Sequence, residues 1–323
     1  MVEGCEAKEH LSITHGRKMA IITGGSGFIA GHLAERLMSD GWSVTAVDRF
    51  VPKAETFGAI FDNDRFDFVK ADISDGAQFT DLAKDAKMIF HLAANSDTRG
   101  AADVNFRDTL LTTKSVLDAM VKNGIRRLFF SSSSAVYGER PDVVLTEDAG
   151  GLKPVSYYGA SKLASESLIH AYSNMNSISS LIFRFPNVVG PRMTHGVIFD
   201  FIRKLKCDPK KLEILGNGMQ KKQYIHVRDL INGICMLVNK DLKSTEIYNI
   251  STESSTSVDE IARIVCDRMG LKNVMFEYTG GPVGWKGDVR SFALDISKIK
   301  RAGWTYRYNS TDAVTETIKN LEL

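Results

Sequence analysis

Thr23-Gly24-Gly25-Ser26-Gly27-Phe28-Ile29-Ala30 is the stretch on which the fold turns. Before it lies a short apolar run, residues 19–23; after it, residues 29–39 carry Leu33, Leu37 and Met38 on one helical face. The first reads as a buried strand and the second as a helix, with Gly41 where a helix C-cap would sit. Gly24 can take the backbone angles of a tight turn. Gly27 lets main chain approach a pyrophosphate, and Ala30 is small enough for close helix–strand packing. The first helical turn, with Phe28 and Ile29, then offers free N–H groups and a partial positive charge to phosphates. A second strand, 43–47, runs into Asp48, 24 positions after Gly24. That is close to the offset of about 20 residues at which a carboxylate meets an adenosine ribose.

Outward from this corner the alternation continues. Strand-like runs recur at 66–70, 88–92, 127–131 and 180–184, with helical patterns such as 109–122 and 160–175 between them. Strand alternating with helix predicts an α/β fold, a Rossmann-type doubly wound parallel sheet. After Arg184 the rhythm breaks at Pro186, Gly190, Pro191 and Gly196. A helix at 199–205, a strand at 212–215, a strand and helix over 224–238, and helices at 258–269 and 312–321 follow. The expected organisation is an NAD-binding Rossmann domain of residues 18–185 plus about 224–250. A smaller, discontinuous C-terminal α/β substrate lobe takes about 186–223 plus 251–323, and residues 1–17, which lack periodicity, form a flexible extension.

Composition narrows the function. A chain of 323 residues suits about two lobes, and 43% hydrophobic with 25% charged residues is ordinary globular composition. Forty-one Lys+Arg against 39 Asp+Glu leave a charge of +2, which argues against nucleic-acid partners and a polybasic membrane anchor. No apolar run approaches the roughly 18 residues of a membrane span, and the polar start has no signal core, so a cytoplasmic location is expected. The four cysteines, Cys5, Cys207, Cys235 and Cys266, are far apart and suit neither a disulfide framework nor a metal site.

Asp48 favours NAD, because a carboxylate repels a 2′-phosphate. Arg49 beside it leaves open a pairing with that phosphate or stacking on adenine. Asp72-Ile73, after the third strand, either meets the adenine or is a solvated strand end. Tyr158 and Lys162 stand i, i+4 at a helix start and share a face. Lowering a phenol by about 3 pKa units, to make it a base near neutrality, takes about 4 kcal/mol of differential stabilisation. A nearby ammonium and a positive nicotinamide can supply it.

With Phe130-Ser131-Ser132-Ser133-Ser134-Ala135-Val136-Tyr137-Gly138, His91-Leu92-Ala93-Ala94 and Arg184-Phe185-Pro186-Asn187, these motifs resemble the extended short-chain dehydrogenase/reductase family. The likeness runs from about Met19 to the C-terminus. Within that family it is strongest to the UDP-glucose 4-epimerases, through Asn187-Val188-Val189-Gly190-Pro191-Arg192, the run from Gly216 to Val227, and Gly287-Asp288-Val289. The resemblance implies Tyr158 as base and Lys162 as its ribose-binding partner, with Ser133 bonding the sugar O4 and Tyr158. It puts Leu92, Ala93, Ala94 and Phe185 at the cofactor and Asn187 at a nucleotide-sugar diphosphate. Arg99 either lines the same cleft or lies on the surface.

The 4,6-dehydratases of that family carry Asp-Glu where this chain has Ser134 and Ala135, and the decarboxylases carry a glutamate where Ala135 stands. That leaves epimerisation or simple ketose reduction, and the resemblance implies a nucleotide-sugar 4-epimerase, interconverting UDP-glucose and UDP-galactose through a 4-keto sugar with tightly bound NAD. Other readings are an NAD(P)H-dependent 4-keto sugar reductase, a 4-epimerase of another nucleotide sugar such as UDP-glucuronate, and a non-catalytic NAD-binding regulatory protein. The chain departs from its relatives in two places. Lys222-Gln223 stands for an arginine and an aspartate, and Trp285 for a diphosphate-binding arginine, leaving Lys222, Lys286 and Arg290 as candidate diphosphate partners. Phe292 falls where relatives border the sugar C2 substituent, and a bulky aromatic there goes with plain hexoses; the other reading is packing within the second lobe. The family further implies a homodimer through a four-helix bundle of helices 109–122 and 160–175, with Leu163, Leu168 and Ile169 as apolar candidates.

Overall fold

The computed structural model describes residues 18–52, 57–141, 143–242 and 244–321. The expected extension at 1–17, Cys5 included, lies outside the described residues. Seven parallel strands form the frame: β1 (Met19–Thr23), β2 (Ser43–Asp48), β3 (Phe66–Lys70), β4 (Met88–His91), β5 (Arg127–Ser131), β6 (Ser179–Arg184) and β7 (Glu246–Asn249). Their order across the sheet is β7-β6-β5-β4-β1-β2-β3. Thr23 lies opposite both Val47 and His91, and Asn249 opposite Arg184.

Both faces of the sheet are covered, which is why its strands read as continuous apolar runs. Ala20 and Ile22 join one core with Leu33 and Leu37 of helix α1 (Phe28–Ser39). Ile21, between them, joins the opposite core. There it meets Phe79 of α2 (Gly76–Leu82), Val116 and Leu117 of α3 (Thr112–Asn123) and Ile169 of α4 (Tyr157–Asn176). A third core lies under α5 (Val197–Cys207), α7 (Val258–Arg268) and α8 (Ser310–Lys319). Helix α6 (Val227–Leu237) packs instead on the α1 side of the sheet. α7 starts with a capping box in which Ser257 and Glu260 satisfy each other's backbone N–H.

Three details differ from expectation. β7 has only four residues, Glu-Ile-Tyr-Asn, too short and too polar to register as an apolar run. The segment before α3 begins as π-type turns, Phe106–Leu111, rather than as regular helix. Ile169 is fully buried, and Leu163 and Leu168 pack against the chain's own cores, so these three do not make a free apolar face. Among the described residues no helix is long and apolar enough to cross a membrane, and no group of three or more His, Cys, Asp or Glu is arranged to hold a metal. Cys207, Cys235 and Cys266 are free thiols.

A buried chain of polar groups pins the centre of the sheet to the helices. His91 Nδ1 pairs with Thr23 Oγ1 at 2.7 Å, and its Nε2 with Thr113 Oγ1 at 3.0 Å. Thr113 in turn donates to Ser165 of α4 at 3.0 Å. Burial, helped by the nearby Lys162 charge, holds the His91 pKa at about 3, so the ring is neutral when folded. An unfolded histidine binds its proton near pH 6.5; the unfolded state therefore gains protons first as pH falls, and stability drops from pH 6.5 downward. Unfolding free energy from urea titration is expected to fall between about pH 7.5 and about pH 5.5, and His91→Gln is expected to flatten that fall. An equal slope in the variant would remove His91 as its source.

Candidate active site

Strand order reverses between β1 and β4, and parallel α/β sheets open a crevice at the carboxyl ends of their strands at such a point. A cleft of about 1210 Å³ occupies that position. It exceeds the roughly 300–1,000 Å³ of a pocket for one small ligand.

The glycine turn forms its floor. Gly24 has φ +69°, and a Cβ there would stand 2.8 Å from the backbone nitrogen of Ala93; one on Gly25 would stand 2.7 Å from that of Val47. The turn is thus wedged between the ends of β4 and β2, and only glycine fits. Gly27 occupies the N-cap of α1 and makes no side-chain cap, which leaves the first-turn N–H groups to an anion. Gly24, Gly27, Phe28 and Ile29 all line the cleft. Asp48 Oδ2 accepts from the Ser26 N–H (3.1 Å) and hydroxyl (2.7 Å), and Oδ1 from the Phe50 N–H (3.1 Å). Its carboxylate is fixed at the lip of the turn. Donors for a pyrophosphate and a carboxylate for a ribose hydroxyl therefore fit a dinucleotide.

The other expected cofactor residues, Asp72, Ile73, Leu92, Ala93, Ala94 and Phe185, line the same cleft. Hydrogen bonds from Ser74 hold the Asp72 carboxyl below its usual range. The Arg49 fork is already occupied: it donates to both oxygens of Asp108, at 2.9 and 2.5 Å, and Arg107 donates to the same carboxylate.

Ser131, Ser132 and Ser133 follow from the end of β5 into the cleft. Ser156 caps α4 by accepting from the Gly159 N–H at 3.1 Å, and the helix then presents Tyr158 and Lys162 to the cleft and leaves Tyr157 59% exposed. Lys162 is buried; its Nζ donates to the Ser131 carbonyl at 2.5 Å and lies 4.6 Å from the centre of the Phe130 ring. Burial pushes the Lys162 ammonium down to about 7, against the opposing pull of Glu166. Burial raises the Tyr158 phenol, and a hydrogen bond with Ser133 pulls it back. The Lys162 ammonium is drawn to the Ser131 carbonyl.

One turn beyond Lys162, Glu166 continues the same i, i+4 series. It accepts from Arg184 at 3.0 and 2.6 Å and from the Ser132 hydroxyl at 2.5 Å. Arg184 also donates to the Tyr137 hydroxyl (3.1 Å), which donates to Asn249 of β7 (2.8 Å). Sequence reasoning passed over Glu166, although its spacing from Tyr158 and Lys162 was the available signal.

On the opposite wall stand Asn187, Lys222 and Phe292. Asn187 is hydrogen-bonded to Tyr224, whose phenol burial pushes up to about 12. Lys222 is ion-paired with Asp288 and lies over the Trp285 ring, 5.1 Å from its centre. Arg99 lines the cleft, paired with Asp97 at 3.3 Å. Phe292 is buried against Val136, Tyr137, Leu145 and Leu294 and also lines the cleft, so it packs and borders at once. The other two candidate diphosphate partners, Lys286 and Arg290, are exposed and do not line the cleft, and Arg290 is held by Glu139 at 3.2 Å. The turn at Gly287, φ +93°, presents Trp285 and Asp288 inward and leaves these two outside. Arg203 and Lys204 of α5, both paired with Asp200 at 2.9 Å, also line the cleft and carry no motif that marked them in sequence.

The sequence pattern of the NAD dependent epimerase/dehydratase family matches residues 20–251. The chain is 29% identical over 311 residues to the UDP-glucose 4-epimerase of Mycolicibacterium smegmatis, covering 93% of this chain and 97% of the relative. A UDP-galactose 4-epimerase crystal structure superposes with a TM-score of 0.82 at 30% identity, covering 94% of this chain and 98% of that one. MoeE5, solved with UDP-glucuronic acid and NAD, superposes with a TM-score of 0.81 at 29% identity, covering 93% and 97%.

The Arg49–Asp108 pair generates a test of the adenosine end. While Asp108 holds the guanidinium, Arg49 does not offset the repulsion of Asp48 for a 2′-phosphate, so the chain is expected to retain NAD and reject NADP. Asp108→Asn weakens the tether, and the NAD-to-NADP ratio of dissociation constants, measured by calorimetry, is expected to fall severalfold. An unchanged ratio means that the tether does not set the preference.

Proposed function

The chain belongs to the NAD dependent epimerase/dehydratase family, and from that premise we propose that it is a nucleotide-sugar 4-epimerase interconverting UDP-glucose and UDP-galactose. The observation that carries this reading is the wall beside Tyr158. Ser133, Ser134 and Ala135 line it with two hydroxyls and a methyl group and offer no carboxylate. Chemistry at the sugar C5 and C6 needs a further acid and base; chemistry confined to C4 needs only one group that takes a proton and later returns it.

Tyr158 is that group. It takes the proton of the sugar 4-hydroxyl, and Ser133, hydrogen-bonded to Tyr158, holds the sugar oxygen in line. NAD, when bound, would supply the hydride acceptor and donor for C4 and a positive charge in its oxidised form. Lys162, anchored on the Ser131 carbonyl, would have its remaining N–H groups for the cofactor ribose. Inversion requires the 4-keto sugar to present its other face, so it turns about its bond to the diphosphate while Asn187 and Lys222 hold that diphosphate. Tyr158 then returns its proton to O4 while the hydride would return to the opposite face of C4. No net oxidation occurs, and the cofactor need not leave.

UDP-hexose is supported by the relatives named above and by Phe292, whose ring takes up volume at the cleft wall. A second reading, UDP-glucuronate as substrate, is favoured by Arg99, a guanidinium on the cleft wall able to meet a sugar carboxylate.

Purified protein without added NAD is expected to convert UDP-galactose to UDP-glucose, followed by NMR. Tyr158→Phe is expected to lower turnover by about 10²-fold or more while the cofactor stays bound. No conversion of UDP-galactose, with stoichiometric oxidation of NAD(P)H by a 4-keto nucleotide sugar, would make the chain a reductase, and near-normal turnover in the variant would remove Tyr158 from the mechanism. A size filter of this kind discriminates by about 1–3 kcal/mol. UDP-galactose is therefore expected to exceed its N-acetyl analogue in kcat/KM by about tenfold or more, and Phe292→Gly to close that gap. UDP-glucuronate outrunning both hexoses would hand the assignment to the second reading.

A further inference from the structure

Residues 284–290 reach from the second-lobe wall across to the first. The Trp285 indole N–H donates to the Thr98 hydroxyl at 3.1 Å, joining positions 187 apart in the chain, and both residues line the cleft. Beside it, Gly287 rests on the start of α4: a Cβ there would stand 3.4 Å from Ser156 Cβ and 3.5 Å from the Val155 carbonyl. Ser156 is the residue that caps the helix carrying Tyr158. The indole is braced from behind. Lys222 lies over its ring and is ion-paired with Asp288, which also accepts from the Gly284 N–H at 3.1 Å and bonds the Trp285 carbonyl through its own N–H at 3.1 Å.

Inversion at C4 sets a conflict that this arrangement resolves. The ketone must turn, so the sugar cannot be gripped tightly at its hydroxyls, yet a loosely held sugar can leave. If it leaves, the enzyme keeps a reduced cofactor and is dead for the next turnover. The grip of Asn187 and Lys222 on the diphosphate then needs to be supplemented by closure of the walls around the sugar. We propose that the Trp285–Thr98 hydrogen bond is a clasp that keeps the two walls of the cleft together while the 4-keto sugar turns, an inference that rests on the 4-epimerase reading above. The clasp uses a side chain standing where relatives carry a diphosphate-binding arginine. An ordinary hydrogen bond of about 1 kcal/mol net changes an opening equilibrium about fivefold, enough to govern a leak without governing the chemistry.

Two substitutions remove the bond from either side. Thr98→Val keeps the side-chain shape and removes the acceptor; Trp285→Phe keeps a ring over Lys222 and removes the donor. The first readout is independent of turnover. Trp42 and Trp304 are buried, so acrylamide quenching of indole fluorescence in the UDP-bound protein reports Trp285. The quenching constant is expected to at least double in Thr98→Val, and an unchanged value overturns the clasp. This arm decides even if the chain converts no nucleotide sugar, an outcome that would overturn the 4-epimerase reading instead. The second readout uses UDP-galactose. Both single variants are expected to accumulate reduced nicotinamide, seen by its near-ultraviolet absorbance, about fivefold faster per turnover than wild type. Free 4-keto sugar should be recoverable from solution as its oxime, and the double variant should leak no more than either single one. Slower turnover without released ketone, or additive effects in the double variant, would mean the bond merely supports the fold.

Discussion

Glu166 and Arg184 form an ion pair whose side chains are each 3% exposed. Breaking such a pair by removing one partner strands a buried charge and costs about 3–5 kcal/mol. The geometry of the site follows from that constraint. Arg184 closes β6 and Glu166 sits on α4, so the helix cannot slide or roll along the sheet without unpairing them. Ser132 completes the carboxylate from the end of β5, and the guanidinium reaches Asn249 of β7 through Tyr137. Lys162 and Tyr158 are one and two turns earlier on the same helix, and Ser133 is next to Ser132. Their mutual placement is inherited from the pair, and the Glu166 charge opposes the desolvation that would otherwise drive Lys162 further toward neutrality.

The second wall follows the same rule by a gentler route. Lys222 is matched by Asp288 and Arg203 and Lys204 by Asp200; across the cleft, beside Thr98, Arg99 is matched by Asp97. An anionic ligand arriving there exchanges one partner for another and does not have to order free side chains. Immobilising such long side chains ordinarily subtracts about 0.5–1.5 kcal/mol each from binding. Here much of that ordering is done on folding.

Six of the seven sheet strands were legible because strands covered on both faces are written as unbroken apolar runs. β7 was not: its four residues include Glu246, paired with Lys240 just before it, and Asn249, whose partners Glu147 and Asp295 lie far away in the chain. The Tyr158–Lys162 spacing revealed a shared helix face but not where the ammonium would point, and the Ser131 carbonyl decided that. The outward position of Lys286 and Arg290 was hidden for a related reason. Residue type and count from Asp288 say nothing of which way a chain turns at a glycine with φ +93°. Phe292 was read as gate or packing, and a residue at a cleft wall is free to be both.

The place of β7 at the sheet edge bears on how the chain is made. β6, Ser-Ser-Leu-Ile-Phe-Arg, is complete at residue 184, and the strand that covers its outer edge begins at 246. During synthesis at about 5–20 residues per second, the intervening 60 or so residues take about 3–12 s to appear. For that interval an apolar strand presents an unpaired row of backbone groups, the template on which chains pair with one another. The nascent protein is therefore exposed to misassembly at this edge well after its cofactor corner has been made, and a chaperone that shields β6 would act in that window.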